Sequence, residues 1–356
     1  VAQRVASARY LSRRYARQLV MPEIGIAGQR ALAEARVLCV GLGGLGTPVV
    51  AYLAAAGLGR LTLIDDDTVD LSNLQRQLLY TSHDVGRAKV DVAAEAIHAR
   101  NPEVDVVTLR RRFEIDLAQE LVRTHDLVID GSDSFATRYL VNDAAFFAGR
   151  PNCFASLASW SAQVTTFSAH GRPCYRCLYP TSPPIDERRT CEAIGVLGPL
   201  AGIAGAWQAA EAIKLLTGAG ESLTGHLLTI DLRLGKVRDL RVVADPDCPL
   251  CGERPTMHTL QPVAIEEDAA RRPPFDEVEP EQIAAHLAQG IRLLDLREAH
   301  ERGGDRIAGA VEIPASQLFQ RLEELDPAVS YLLACRVGVV SGAMLPALRA
   351  RGFMHL

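Results

Sequence analysis

Gly41, Gly43, Gly44 and Gly46 stand close enough together for one tight turn in which bare backbone approaches a phosphate. Asp65 ends an apolar run and offers a carboxylate to a pair of ribose hydroxyls. Beyond it come LSNLQRQ, from Leu71 to Gln77, and GRAKVD, from Gly86 to Asp91. A hydride-transfer site has no need of Asn73, Gln75, Arg76 and a following lysine. Phosphoryl or nucleotidyl transfer does, because charge spread over phosphate oxygens must be met by fixed cations and donors. The chain's lysines are Lys89, Lys214 and Lys236 alone, among 38 basic residues, which singles Lys89 out; a routine surface charge is its other reading. Asp133 lies in the segment Gly131 to Ser134, where it would hold magnesium beside phosphates or cap a helix starting near Ser134.

The eight cysteines divide by setting. Cys174 and Cys177 form one CxxC pair, and Cys248 and Cys251 a second. Four thiolates satisfy tetrahedral zinc with no open position, a structural site, and a dithiol redox pair is the alternative. Cys39 and Cys153 sit in apolar runs. Cys191 falls at the end of a proline-rich, charged loop, Thr181 to Thr190, where Arg188 and Arg189 would favour its thiolate; an incidental loop cysteine is the competing reading. Cys335 ends an apolar run and precedes a glycine-containing loop through Ser341, a setting that suits a thiolate or persulfide anion as well as a core thiol.

The elements that must position these residues are legible as short apolar runs. Strands are expected at Val37 to Val40, Leu61 to Ile64, Leu127 to Asp130 and Asn152 to Leu157, with helices from Thr47, from Lys89 and over Gly198 to Leu216. Val1 to Ala35 reads as basic and helical before turning near Pro22, and Arg13, Arg14 and Arg17 read as a solvated helix face. Thr256 to Pro274 has the composition of a linker. A smaller unit follows, with a helix at Glu281 to Ala288, strands at Arg292 to Leu296, Gly309 to Pro314 and Tyr331 to Ala334, and a helix at Ser316 to Leu325. Open parallel sheets place ligand loops at the carboxyl ends of their strands, which puts the glycine turn and Gly131 to Ser134 at one rim.

Composition narrows the classes further. With 356 residues, 48% of them hydrophobic, the chain is expected to form two or three domains, and a net charge of -5 argues against nucleic acid as the main partner. The uncharged run Val37 to Gly59 is broken by glycines and Pro48, which argues against a membrane span. No secretory signal is expected at the start, and paired CxxC motifs then point to a metal site in a reducing cytoplasm.

GLGGLG (Gly41 to Gly46), DDD (Asp65 to Asp67), LSNLQRQ, GRAKV (Gly86 to Val90), SDSFATR (Ser132 to Arg138), the CxxC pairs and TCEAIGVLGPLAG (Thr190 to Gly202) occur together in this order. From about Arg13 to Gly252 the chain resembles the ubiquitin-activating-enzyme-like adenylyltransferases of sulfur carriers, the MoeB/ThiF type. The tail, with LLDLRE (Leu293 to Glu298), IAGAVEIP (Ile307 to Pro314) and CRVGVVS (Cys335 to Ser341), is similar to a rhodanese domain. The resemblance implies an α/β architecture: a doubly wound Rossmann-like adenylation domain with a structural zinc site over 1–256, a linker over 257–274, and a small α/β rhodanese-like domain over 275–356, shortened at its end.

It further implies that ATP binds Gly41, Gly43, Gly44, Gly46, Asp65, Asp67, Ser72, Asn73, Leu74, Gln75, Arg76 and Lys89, with Mg2+ at Asp133 and Ser134 beside it. Zn2+ would be held by Cys174, Cys177, Cys248 and Cys251. Arg17 matches an arginine that reaches the partner subunit's ATP in a homodimer, Cys191 a position that takes up the activated carrier or passes sulfur, and Cys335 the persulfide carrier. The implied partners are a small ubiquitin-like sulfur carrier ending in Gly-Gly, of the MoaD/ThiS kind, and a sulfur donor such as a cysteine desulfurase or thiosulfate. Two positions depart from the family pattern: Ser134 replaces the usual Asn, and Val340 replaces an arginine that would attract an anionic donor. A nicotinamide-dependent dehydrogenase would account for the glycine turn and Asp65 alone, and a zinc-stabilised, non-enzymatic carrier binder is the other competing class.

Overall fold

The computed structural model describes residues 13–169, 171–181, 195–261, 278, 280–336 and 339–356. Two compact units divide the chain, Val1–Ile265 and Glu266–Leu356. The first opens with helices α1 (Ala16–Leu19) and α2 (Gly25–Glu34). Strand β1 (Arg36–Val40), helix α3 (Gly46–Ala56), β2 (Arg60–Ile64), α4 (Lys89–Arg100), β3 (Asp105–Leu109), α5 (Ile115–Thr124), β4 (Leu127–Asp130), α6 (Phe135–Ala148) and β5 (Asn152–Ala158) then alternate. After β6 (Ser161–Phe167), the short α7 (Tyr175–Leu178) and the long α8 (Gly198–Thr217), strands β7 (His226–Asp231) and β8 (Lys236–Arg241) finish the sheet.

These eight strands order as β3-β2-β1-β4-β5-β6-β7-β8. Pairing is parallel from β3 to β5 and antiparallel from there to β8. Side-chain alternation along β1 explains why helices cover both faces. Val37 and Cys39 join one core with Val49, Val50 and Leu53 of α3, Val90 and Ile97 of α4 and Ala209 of α8. Leu38 and Val40 point the other way, into a core with Val122 of α5 and Leu140 and Val141 of α6. The order 3-2-1-4-5 is that of a doubly wound Rossmann-like sheet, and its direction reverses between β1 and β4. At that reversal the glycine turn and the loop Gly131 to Ser134 lie side by side. Every residue of β8, the last strand, is exposed. Among the described residues no helix is long and apolar enough to cross a membrane.

Chain beyond the second CxxC pair stays with the first unit. Met257 packs beside the four cysteines and Leu260 against the α5–α6 core. Most of the expected linker, and the whole segment 182–194 with Arg188, Arg189 and Cys191, lie outside the described residues.

The second unit holds α9 (Pro280–Ala288), β9 (Arg292–Asp295), the short α10 (Ala299–Arg302), β10 (Val311–Glu312), β11 (Tyr331–Ala334) and α11 (Val339–Arg349). Its parallel sheet runs β10-β9-β11 over a separate core of Leu294, Leu296, Ile313, Leu318, Tyr331, Leu348 and Phe353. Two expectations change here. The strand over Gly309 to Pro314 shrinks to Val311–Glu312, and the helix over Ser316 to Leu325 becomes two 3-10 turns, Ala315–Gln320 and Leu322–Glu324. Asp326 precedes a proline, which disfavours helical backbone there, while the tighter turns still bring Leu318 and Leu325 into the core.

Candidate functional site

The glycine turn is built by close backbone contact. Gly41 adopts φ 87°, and a side chain at Gly46 would meet the Gly41 carbonyl oxygen at 2.0 Å. Asp65, at the end of β2, holds this turn from below: its Oδ2 accepts from the Leu42 N–H at 2.6 Å and its Oδ1 from the Asp67 N–H at 2.8 Å. Burial raises the Asp65 pKa above the ordinary carboxylate range, opposed by the charge of Lys89 and by the two N–H donors. The Tyr80 hydroxyl donates to the Leu42 carbonyl at 2.9 Å and fixes the same turn from the other side.

Two downstream cations lie around this turn, Lys89 on the acidic side beside Asp65 and Asp67 and Arg76 along Gly44. Lys89 opens α4, its side chain only 7% exposed, and its Nζ meets Asp67 Oδ2 at 2.9 Å. Arg76 is half-buried against the turn, its Cγ and Cδ 3.5 Å from where a Gly44 Cβ would stand, and its Nη1 donates to the Ser72 carbonyl at 3.1 Å. It follows a 3-10 turn, Leu71–Asn73, capped by Asp70, whose Oδ1 accepts from Ser72 N at 2.7 Å and Ser72 Oγ at 2.5 Å. Those bonds pull the Asp70 pKa down. Asn73 Nδ2 donates to Ser72 Oγ at 3.4 Å, Leu74 packs on the α3–α4 core, and Gln75 Nε2 donates to the Val196 carbonyl at 3.4 Å.

Across the reversal point, Asp130 is buried and accepts from Ser132 N at 3.1 Å and Ser132 Oγ at 2.6 Å. Arg138 donates to the Ser132 carbonyl at 3.4 Å. This pinned serine presents Asp133 outward, exposed and without a hydrogen bond or ion pair among the described residues. Ser134 is the N-cap residue of α6 but makes no capping bond through its side chain, so neither residue there caps the helix. Arg17 lies exposed on α1.

The four cysteines Cys174, Cys177, Cys248 and Cys251 gather with their sulfurs within 4.8 Å of one another. Cys174 and Cys248 sulfurs are 3.7 Å apart and those of Cys177 and Cys251 3.3 Å, against about 3.8 Å expected for thiolates at 2.3 Å from a tetrahedral zinc. The donor set and spacing fit zinc, and no cysteine among the described residues is in a disulfide. Cys39 and Cys153 are wholly buried, and burial pushes both thiols far above their usual range.

In the second unit Cys335 follows β11, half-buried, and α11 begins two residues before Ser341. The Ser341 N–H donates to Cys335 Sγ at 3.3 Å and the Ser341 hydroxyl stands at 3.3 Å. Val337 and Gly338 of the intervening loop lie outside the described residues.

Sequence reasoning missed Asp70, Tyr80, Asp130 and Arg138, which position others. It also missed Asp143 on α6 and Arg176, whose side chains pair beside the cysteines. A signal existed for two of them: Asp130 ends an apolar strand, and Arg176 stands between two metal-spaced cysteines.

Residues 15–250 match the model of the ThiF family. A sulfur carrier protein adenylyltransferase of Thermus thermophilus is 46% identical over 252 residues, which cover 69% of this chain and 93% of that protein. An adenylyltransferase and sulfurtransferase MOCS3 of Bos taurus is 47% identical over 72% of this chain, and the match spans 57% of the bovine protein. A probable adenylyltransferase/sulfurtransferase MoeZ of Mycobacterium tuberculosis is 38% identical over 96% of this chain and 88% of that protein. Among solved structures, E. coli MccB with ATP aligns at a TM-score of 0.57 and 25% identity over 64% of this chain and 69% of that one.

Proposed function

From the premise that this chain belongs to the ThiF family, we propose that it adenylates the C-terminal glycine of a small ubiquitin-like sulfur carrier and then converts that end to a thiocarboxylate. The observation that carries the reading is the placing of two cations around the glycine turn that Asp65 braces, Lys89 on the neighbouring Asp67 and Arg76 with its stem along Gly44. A nicotinamide site has no use for that pair of cations, and a triphosphate does.

In this reading Gly41, Gly43, Gly44 and Gly46 line the phosphates, Asp65 and Asp67 meet the ribose side, and Ser72, Asn73, Leu74 and Gln75 shape the wall that carries Arg76. The carrier's carboxylate oxygen attacks the α-phosphorus and pyrophosphate leaves. Lys89 leaves Asp67 for the phosphates, and Arg76 and the partner subunit's copy of Arg17 offset the charge of the leaving group. Asp133, exposed and unpaired among the described residues, would hold Mg2+, with Ser134 beside it; that ion supplies further charge neutralisation. The four cysteines hold Zn2+ as a structural ion.

The second unit acts as a rhodanese-like sulfurtransferase. Its supporting feature is Cys335 at a strand end, with the Ser341 N–H in the first turn of α11 directed at its sulfur. The terminal sulfur of a Cys335 persulfide attacks the carrier's acyl carbon and AMP leaves. A second thiol then cleaves the acyl disulfide and releases the thiocarboxylate, leaving Cys335 in a mixed disulfide with that thiol for a further cellular thiol to reduce; Cys191 is assigned the assisting role in this transfer. Val340 offers no cation for thiosulfate, so a persulfide delivered by a cysteine desulfurase suits the site better. The molybdopterin, thiamine, cysteine and tRNA-thiolation pathways all use carriers of this chemistry, and a homodimer working in the cytoplasm completes the reading.

The test is to mix the protein with Mg-ATP, a sulfur donor and candidate carriers ending in Gly-Gly, and to follow ATP–pyrophosphate exchange and intact carrier mass. Asp133→Ala should abolish exchange, whereas Cys335→Ala should spare exchange and stop only the replacement of oxygen by sulfur. Equal loss of both activities in the Cys335 variant would refute the division of labour, and carrier binding with no pyrophosphate turnover would make the chain a binder.

A further inference from the structure

Helix α6 starts directly after the loop that presents Asp133, and its buried face meets α7, the turn inside the first CxxC pair. Tyr139, Asn142, Asp143 and Phe146 are spaced i, i+3, i+4 and i+7, so they share that face. The Tyr139 hydroxyl donates to the Tyr179 carbonyl at 2.8 Å, and its ring packs edge-on against Tyr175 with centroids 5.0 Å apart. Asn142 Oδ1 accepts from the Tyr175 N–H at 2.8 Å. Phe146 packs beside the cysteine cluster.

Asp143 is the centre of this contact. Its side chain is 0% exposed and takes both arms of Arg176, Nε at 2.8 Å and Nη2 at 2.6 Å, plus Asn142 Nδ2 at 3.0 Å. Arg176 stands between ligands Cys174 and Cys177, and its guanidinium also lies 4.8 Å from the centre of the Tyr139 ring. A buried ion pair is a poor way to gain stability, since hydrophobic residues of the same volume do as well or better. What a two-armed pair provides is a fixed distance and angle between the elements it joins.

We propose that the Asp143–Arg176 pair is a strut through which the four-cysteine metal site sets the position of the Gly131 to Ser134 loop, so that metal occupancy governs nucleotide affinity. The inference rests on the reading that Asp133 faces a bound nucleotide. Asp143 and Arg176 are positioning residues: they touch neither nucleotide nor carrier, and act by holding α6 to the metal turn. Losing the ion lets the Cys174–Cys177 turn relax, Arg176 moves with it, and α6 loses a tie in its second half, so that the whole helix, with the loop at its start, can shift.

The test uses the full chain loaded with zinc. Three quantities are read: zinc release to a chromogenic chelator, calorimetric affinity for a non-hydrolysable Mg-ATP analogue, and amide exchange over residues 131–134. Asp143→Asn should release zinc at least tenfold faster, bind the analogue at least fivefold more weakly and exchange faster at 131–134. A volume-matched double variant, Asp143→Leu with Arg176→Met, should recover the thermal midpoint without recovering zinc retention or affinity, which a merely structural pair would restore. Wild-type zinc release and affinity in the double variant would overturn the strut, as would a chelator-stripped wild type that keeps its affinity, or a wild type that takes up no zinc. A wild type that holds zinc but binds no nucleotide would instead refute the reading on which the strut rests.

Discussion

Lys89 is the buried partner of an exposed carboxylate, so Lys89→Ala removes a cation already stripped of most of its water. A charge-assisted hydrogen bond is worth about 1.5–3 kcal/mol, so the nucleotide should bind about 10- to 100-fold more weakly, read by calorimetry with Mg-ATP. Unchanged affinity would remove Lys89 from the site. Residues of this kind were visible in the sequence: Lys89 stood out by rarity, the glycines by spacing and the cysteines by pairing. Asp130, Asp70 and Asp143, which hold others in place, did not, because an aspartate that accepts from its own loop or from a distant arginine has no local spacing to reveal it.

At the level of elements, β1, β2, β4 and β5 were legible because each is a short apolar run, and α8 because its run is long. The parallel strand β3 and the antiparallel strands β6, β7 and β8 went unread; β3 is mostly and β8 wholly exposed, so neither carries a buried run that would give it a period. The 3-10 turns of the second unit were read as a helix because their leucines follow helical spacing while the proline after Asp326 denies them the length. Gly46 tests how tightly the first strand–turn–helix is closed. Gly46→Ala would drive a methyl against the Gly41 carbonyl oxygen at 2.0 Å, an overpacking cost of about 1–3 kcal/mol that should lower the thermal midpoint by several degrees and abolish nucleotide binding. His125 ties α5 to β2: its ring nitrogens lie 2.6 Å from the Leu121 carbonyl and 2.7 Å from Thr62 Oγ1. Burial holds its pKa below the ordinary histidine value. The unfolded chain therefore binds the proton first as pH falls, so this histidine's stabilisation is complete above about pH 6.5 and is lost as pH drops through the window down to its folded value. Urea midpoints at pH 7, 6 and 5 should fall more steeply for the wild type than for His125→Gln. Buried Asp65 and Asp130, whose raised pKa values act with the opposite sign, are common to both proteins.

For the molecule as a whole, the chain divides into two units, and in the sequence the motif-rich stretch gives way to a region without apolar period before pattern resumes. Where the first unit stops was harder to read, since Met257 and Leu260 return to its core from a stretch that looks like linker. Each unit has its own apolar core, and all four clustered cysteines belong to the first. Calorimetry should accordingly resolve two unfolding transitions, and a zinc chelator should lower one midpoint while leaving the other in place; a single transition, or two that shift together, would contradict independent cores. The last strand has a different kind of consequence. Because β8 closes the sheet with its outer row of amides and carbonyls unmatched by another strand among the described residues, it is a template on which further copies would stack. Lys236, Arg238 and Arg241 stand along that rim as like charges that repel an incoming twin, with Asp239 the lone acid among them. Concentrated salt, which screens such repulsion, is thus the condition under which this chain is most prone to clump.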